Sequence, residues 1–113
     1  MIMNDEELIS WVRKSMQPIG PISTRPTMEG QAIYLDGMLF AYVAESKLWF
    51  RTDDESDLAW DAAGSEWLRR PKKDGTLGYE PYRSAPEGAY TDEKDLRKWA
   101  KQGLAAGRRA KQN

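Results

Sequence analysis

Between Gln31 and Thr52 the chain carries three short apolar runs with only two residues between neighbours, a spacing that antiparallel hairpins bridge and parallel crossovers do not. Gln31 to Leu35 leads into Asp36-Gly37, a dipeptide that tolerates positive φ and suits a two-residue turn. Met38 to Ala44 follows. Glu45-Ser46 is a poorer turn dipeptide, but Lys47 to Thr52, with Leu48, Trp49 and Phe50, reads as a third strand, so the segment is expected to be a meander. Helical signals flank it. Asn4 with Glu7 three residues on has the pattern of a capping box, and Leu8, Ile9, Val12 and Met16 recur at helical spacing. Pro18 and Gly20 end that helix, and Gln17 to Gly30, rich in Pro, Gly, Ser and Thr, reads as a connecting loop. Asp53 or Asp54 caps a short second helix that closes at Ala62-Ala63-Gly64. Trp67 to Lys72 and Thr76 to Tyr82 are weaker strands about the turn Lys73-Asp74-Gly75, with Pro81 and Pro86 confining the latter to an edge or ending it. The last helix opens at Thr91 and places Leu96, Trp99, Ala100, Gly103 and Leu104 on one face.

The order α-β-β-β-α-β-β-α lacks the alternation a parallel sheet needs. The expected class is therefore α+β, two layers, with a five-stranded antiparallel sheet and flanking helices. At 113 residues, 1 to 113 is expected to be a single domain with one core.

Chemistry is narrowed by what is missing. The chain has no Cys and no His, which removes thiolate and imidazole catalysis, disulfides and zinc fingers. Asp53, Asp54, Glu55, Asp57 and Asp61 lack the spacing of a calcium loop and are better read as helix caps and dipole partners. Ser10, Ser15 and Lys14 do not make a Ser-Lys nucleophile, since Lys14 beside Arg13 lies on a solvated face. No phosphate loop of either common pattern occurs. No enzyme, metal or cofactor is expected. With no long apolar stretch and an acidic start at Asn4-Asp5-Glu6-Glu7, the expectation is a soluble cytoplasmic protein without membrane contact.

The formal charge of −1 hides an uneven distribution. Residues 1 to 66 hold five basic and twelve acidic side chains, whereas 94 to 113 hold seven basic and one acidic. Arg97, Lys98, Lys101, Arg108 and Arg109 on the last helix are candidate nucleic-acid contacts, with Arg69-Arg70 and Lys72-Lys73 as a second basic segment. A cationic C-terminal helix is also favoured by its own dipole, which makes a solvated face the more economical reading.

Strand parity suggests a different surface. If both turns contain two residues, Leu39, Ala41, Val43, Leu48 and Phe50 share one face and resemble a core. Ile33, Leu35, Phe40, Tyr42 and Trp49 share the other, rimmed by Gln31, Lys47 and Arg51. That second face has the aromatic centre and polar rim of an interface, with Trp49 and Tyr42 as its anchors.

Four sequence segments carry a family resemblance. Ile33-Tyr34-Leu35-Asp36-Gly37-Met38-Leu39-Phe40-Ala41, Ala62-Ala63-Gly64-Ser65-Glu66, Pro81-Tyr82 with Ala85-Pro86, and Trp99-Ala100 occur in the order seen in the N-terminal domain of the TfoX (Sxy) competence regulators, and the chain resembles that family from about Leu8 to Ala106. The resemblance implies a secretion-chaperone-like two-layer fold and a part in transcriptional control of natural competence alongside the cyclic AMP receptor protein. It offers no catalytic residues. Pro26-Thr27-Met28-Glu29-Gly30 stands where members usually carry Arg-x-Met-Phe-Gly-Gly, and the second helical domain of the longer regulators does not follow, so a stand-alone copy of the N-terminal module is expected. The expected function is a non-enzymatic regulatory or adaptor domain acting through a protein partner or as a homodimer. The alternative is direct nucleic-acid binding through the basic last helix.

Overall fold

The computed structural model describes residues 3–112. Helix α1 (Asp5–Met16) begins at a complete capping box: the Glu7 amide donates to Asn4 Oδ1 at 2.8 Å, and the Asn4 amide to Glu7 Oε1 at 3.1 Å. Its Leu8, Val12 and Met16 are buried. Six strands follow rather than five, because part of the expected loop, Ile22–Pro26, forms β1. Pro26 closes this strand at the sheet edge, where a missing N–H interrupts no ladder. Next come β2 (Gly30–Leu35), β3 (Met38–Ala44), β4 (Lys47–Arg51), α2 (Asp54–Ala62), β5 (Trp67–Pro71), β6 (Leu77–Ser84), a 3₁₀ turn (Glu87–Tyr90) and α3 (Glu93–Gln112). The order across the sheet is β1-β2-β3-β4-β6-β5, every neighbouring pair antiparallel.

Both meander turns are two-residue turns with positive φ: 50° and 76° at Asp36 and Gly37, 51° and 61° at Glu45 and Ser46. Glu45-Ser46 has no glycine to relieve this conformation. It is held from outside, the Ser46 amide donating to the Asp5 carboxylate at 2.7 Å. Pro81 does not confine β6 to an edge; β6 lies between β4 and β5, and Pro81 sits where the β5 pairing is irregular, between the Arg69–Tyr79 and Trp67–Arg83 pairs.

A β-bulge decides which way the sheet faces. Leu35 pairs with Met38 and Tyr34 with Leu39, but Ile33 pairs with Ala41, so Phe40 is an extra residue in β3. Phe40 and Ala41 consequently both face the helices, and the alternation is inverted in β2 and at the start of β3. The expectation that Ile33, Leu35 and Phe40 line a partner surface is therefore corrected: all three belong to the main core, and Leu39 lies on the opposite face. The second hairpin keeps the expected register, with Ala41 opposite Phe50 and Tyr42 opposite Trp49.

All three helices pack on that core face. Leu8, Val12 and Met16 from α1, Trp60 from α2, and Leu96, Trp99, Ala100 and Leu104 from α3 meet Ile33, Phe40, Val43, Leu48 and Phe50 of the sheet. Three aromatic rings run through the interior, Phe50 to Trp60 at 5.7 Å and Trp60 to Trp99 at 4.7 Å between centroids. The bulge and α3 fit each other closely. A Cβ added at Gly103 would lie 2.5 Å from the Phe40 carbonyl oxygen, and one at Gly107 would lie 2.9 Å from that of Leu39. Only glycine lets the helix axis come so near the strand.

Candidate partner surface

Among the described residues, no helix packs into the cluster on the opposite face of the sheet. Ala32, Tyr42, Ala44 and Trp49 form its centre, with Tyr34, Leu39, Leu68 and Tyr82 packed around them, all from strands. The Tyr42 and Tyr82 rings lie 5.6 Å apart. The sheet curls enough for its two ends to meet over this cluster. Tyr42 Oη shares a 2.7 Å hydrogen bond with Thr27 Oγ1, from the β1–β2 connection, and accepts from Arg70 Nη2 of β5 at 3.4 Å. Arg70 also pairs with Glu80 at 3.4 Å and reaches Glu29 at 3.9 Å. Cations roof the rings: Arg25 stands 5.3 Å from the Tyr34 centroid, Lys47 5.1 Å from Trp49 and Arg70 5.7 Å from Tyr42.

Tyr42 and Trp49 lie on the helix-free face, as strand parity implies, yet they are only 3% and 8% exposed. They are the floor of the surface and not its open anchors. The reachable apolar groups are the half-buried Tyr34, Leu39, Leu68 and Tyr82, and burial pushes the Tyr82 phenol above its usual range. Arg51 is half-buried beside them, its Nη1 donating to the Leu39 carbonyl at 3.4 Å.

The basic residues of α3 divide into two sets. Arg97 donates to the Ser15 carbonyl of α1 at 2.9 Å. Arg109 grips Asp53 through Nε at 2.6 Å and Nη2 at 2.8 Å, and also donates to Ser56 Oγ at 2.7 Å. These two arginines hold helices together. Lys98 lies 4.9 Å from the Trp99 centroid, while Lys101 and Arg108 are exposed.

Asp53 is the N-cap of α2, accepting from the Ser56 amide at 3.0 Å. The Arg109 hydrogen bonds, opposed by desolvation and helped by the Ser56 bonds, pull its carboxyl down to about 2. A depressed carboxyl stabilises the fold above the unfolded value near 3.9 and loses that contribution as pH falls toward 2. Because the pair is part-exposed, the contribution is expected to be of order 1 kcal/mol. Urea unfolding at pH 6 and pH 3 checks this: Asp53→Asn should be less stable than wild type at pH 6, and the gap should narrow at pH 3.

Two further acids of the cluster, Asp57 and Asp61, face a residue that sequence reasoning missed. Arg83 of β6, 2% exposed, donates to Asp61 Oδ1 at 2.7 Å and to the Ser65 carbonyl at 2.9 Å, and reaches Asp57 Oδ1 at 3.4 Å. Thr52 Oγ1 donates to the same Asp57 oxygen at 2.6 Å, and the guanidinium stands 4.4 Å from the Trp67 centroid. Asp53, Asp57 and Asp61 therefore act as a cap and as counter-ions. Nothing local in the sequence marks Arg83, whose partners lie 26 and 22 residues away.

The family model described as the TfoX N-terminal domain matches residues 14–107. No curated protein matches the chain. Among the described residues, no helix is long and apolar enough to cross a membrane.

Proposed function

The chain belongs to the TfoX N-terminal domain family, and from that premise we propose that it is a non-enzymatic regulatory or adaptor module of the cytoplasm, working in transcriptional control through protein contacts. The observation that carries this reading is the sidedness of the sheet. Three helices cover one face, while the other keeps an aromatic and aliphatic cluster without a helix over it. A surface of half-buried Tyr34, Leu39, Leu68 and Tyr82 within a rim of Arg25, Lys47, Arg51 and Arg70 has the apolar centre and polar margin of an interface. The occupant is a protein partner or a second copy of the chain. Duplex binding through α3 is the weaker reading, because Arg97 and Arg109 are engaged inside the fold.

Tyr34→Glu combined with Leu68→Glu tests the proposal, since both side chains are half-buried and neither belongs to the main core. Two lost anchors at about 2 kcal/mol each should weaken association by well over tenfold. Self-association is read by sedimentation and partner capture from the native host's lysate. A folded double variant that associates like wild type in both assays overturns the proposal.

A further inference from the structure

The β5–β6 hairpin continues beyond the sheet as a two-stranded arm. β6 pairs with β4 at Ser84, Arg83 and Tyr82, and β4 ends at Arg51. From there outward the two strands pair their backbones only with each other, Arg69 with Tyr79, Arg70 with Gly78 and Pro71 with Leu77, while the Arg70 side chain alone reaches back over the sheet to Tyr42 and Glu29. Residues 71–77 are exposed throughout. We propose that this arm binds duplex nucleic acid through its phosphate backbones.

Charge is the first support. Arg69, Lys72 and Lys73 have no carboxylate within salt-bridge distance among the described residues. Of the arm's acids, Glu80 is paired with Arg70, while Asp74 accepts from the amide and hydroxyl of Thr76 and keeps its charge, so Arg69 to Glu80 carries four cations against two carboxylates. Strand alternation puts Arg69 on one face of the ribbon and Lys72 on the other, with Lys73 in the turn, so a ribbon lying in a groove offers cations to both flanking strands. A major groove admits a two-stranded ribbon of this kind. The lysine is also accommodated: a Cβ at Gly78 would collide with the Lys72 side chain, which lies across the bare glycine.

The second support is apolar surface at an open tip. Leu77 is 58% and Tyr79 64% exposed, and Arg69 stands 5.4 Å from the Tyr79 centroid. A merely solvated arm has no need of them. The third is polarity of the whole molecule. The acidic start of α1 is tied to the Glu45-Ser46 turn, at the opposite end of β4 from the arm. The C-terminal end of α3 lies at the arm's root, joined to it by a cleft in which Arg51 and Arg109 stand beside Asp53 and Asp54. Asp53 and Glu55 at that end are paired with Arg109, leaving Asp36 and Asp54 as its open carboxylates.

The test titrates a labelled duplex of about 20 base pairs with the full chain at about 50 and 200 mM salt. Three neutralised phosphates give a log–log slope of about −2.7, so binding should weaken roughly 40-fold over that range. Lys72→Glu with Lys73→Glu, at exposed positions where folding is checked by thermal melting, should bind at least tenfold more weakly at low salt and show a slope about two units shallower. Lys14→Glu with Lys94→Glu changes the net charge equally and should stay within threefold of wild type. No binding at low salt, an unchanged slope in the arm variant, or an equal loss in the charge control overturns the proposal. So does tighter binding to phosphatidylserine vesicles or to polyglutamate than to duplex, which would assign the arm to a lipid surface or an acidic protein.

Discussion

Arg83→Ala is expected to lower stability by about 2–3 kcal/mol, because it removes a buried guanidinium, its packing and its charge-assisted hydrogen bonds, while the acids it leaves, Asp57 and Asp61, are part-exposed and can be rehydrated. The guanidinium is 2% exposed and joins α2 to β6 through Asp57, Asp61 and the Ser65 carbonyl. Its loss leaves Asp57, already fixed by Thr52, without a counter-ion and opens a gap beneath Trp67. For a domain of this size the loss amounts to a large share of the total stability. Urea unfolding reads it directly, and a midpoint corresponding to less than about 1 kcal/mol of destabilisation would mean the network is not buried as described. A double cycle with Asp57→Asn should show coupling, because the two residues share a contact.

Trp60→Ala is the second large effect, at about 3–5 kcal/mol. Trp60 is fully buried between Phe50 and Trp99, so the truncation empties the middle of the stack through which α2, α3 and β4 meet. Trp60→Phe should be much milder. The indole N–H has no hydrogen-bond partner among the described residues, and phenylalanine removes that unsatisfied donor while keeping an aromatic ring in place. Unfolding curves for the two variants separate packing from polarity: similar losses in both would contradict this reading of the stack.

The sequence makes visible those features whose causes are local. The capping box at Asn4 and Glu7, the two turns of the meander and the Asp53 cap each depend on residues within a few positions, and each stands where local chemistry puts it. Where distant chain segments decide, sequence reasoning fails. β1 reads as loop because Pro, Ser and Thr fill it, yet pairing with β2 at an open edge tolerates all three. The Phe40 bulge leaves no trace in the apolar run Leu39-Phe40-Ala41. What accommodates it is Gly103 and Gly107, more than sixty residues later, admitting α3 against the bulged strand. One undetected extra residue thus sends Ile33, Leu35 and Phe40 to the core, while Tyr42 and Trp49, beyond the bulge, stay on the expected face. Periodicity assigns a face to a side chain but does not say how deeply it lies. The curl that brings Thr27 and Arg70 together over Tyr42 joins opposite ends of the sheet and has no sequence signature.

The helix-free face as contact surface is tested most directly by thiol labelling, for which the absence of native cysteine makes the chain well suited. Single cysteines at Tyr34, Leu39 and Leu68 report on that face, and single cysteines at Ser10 and Lys98 report on the helical side. Labelling rates are compared between the free chain and its self-assembled or partner-bound form. The proposed surface predicts slower labelling at 34, 39 and 68 on association, with 10 and 98 unchanged. Protection confined to 10 and 98, with the sheet positions labelling as fast as in the free chain, would contradict it.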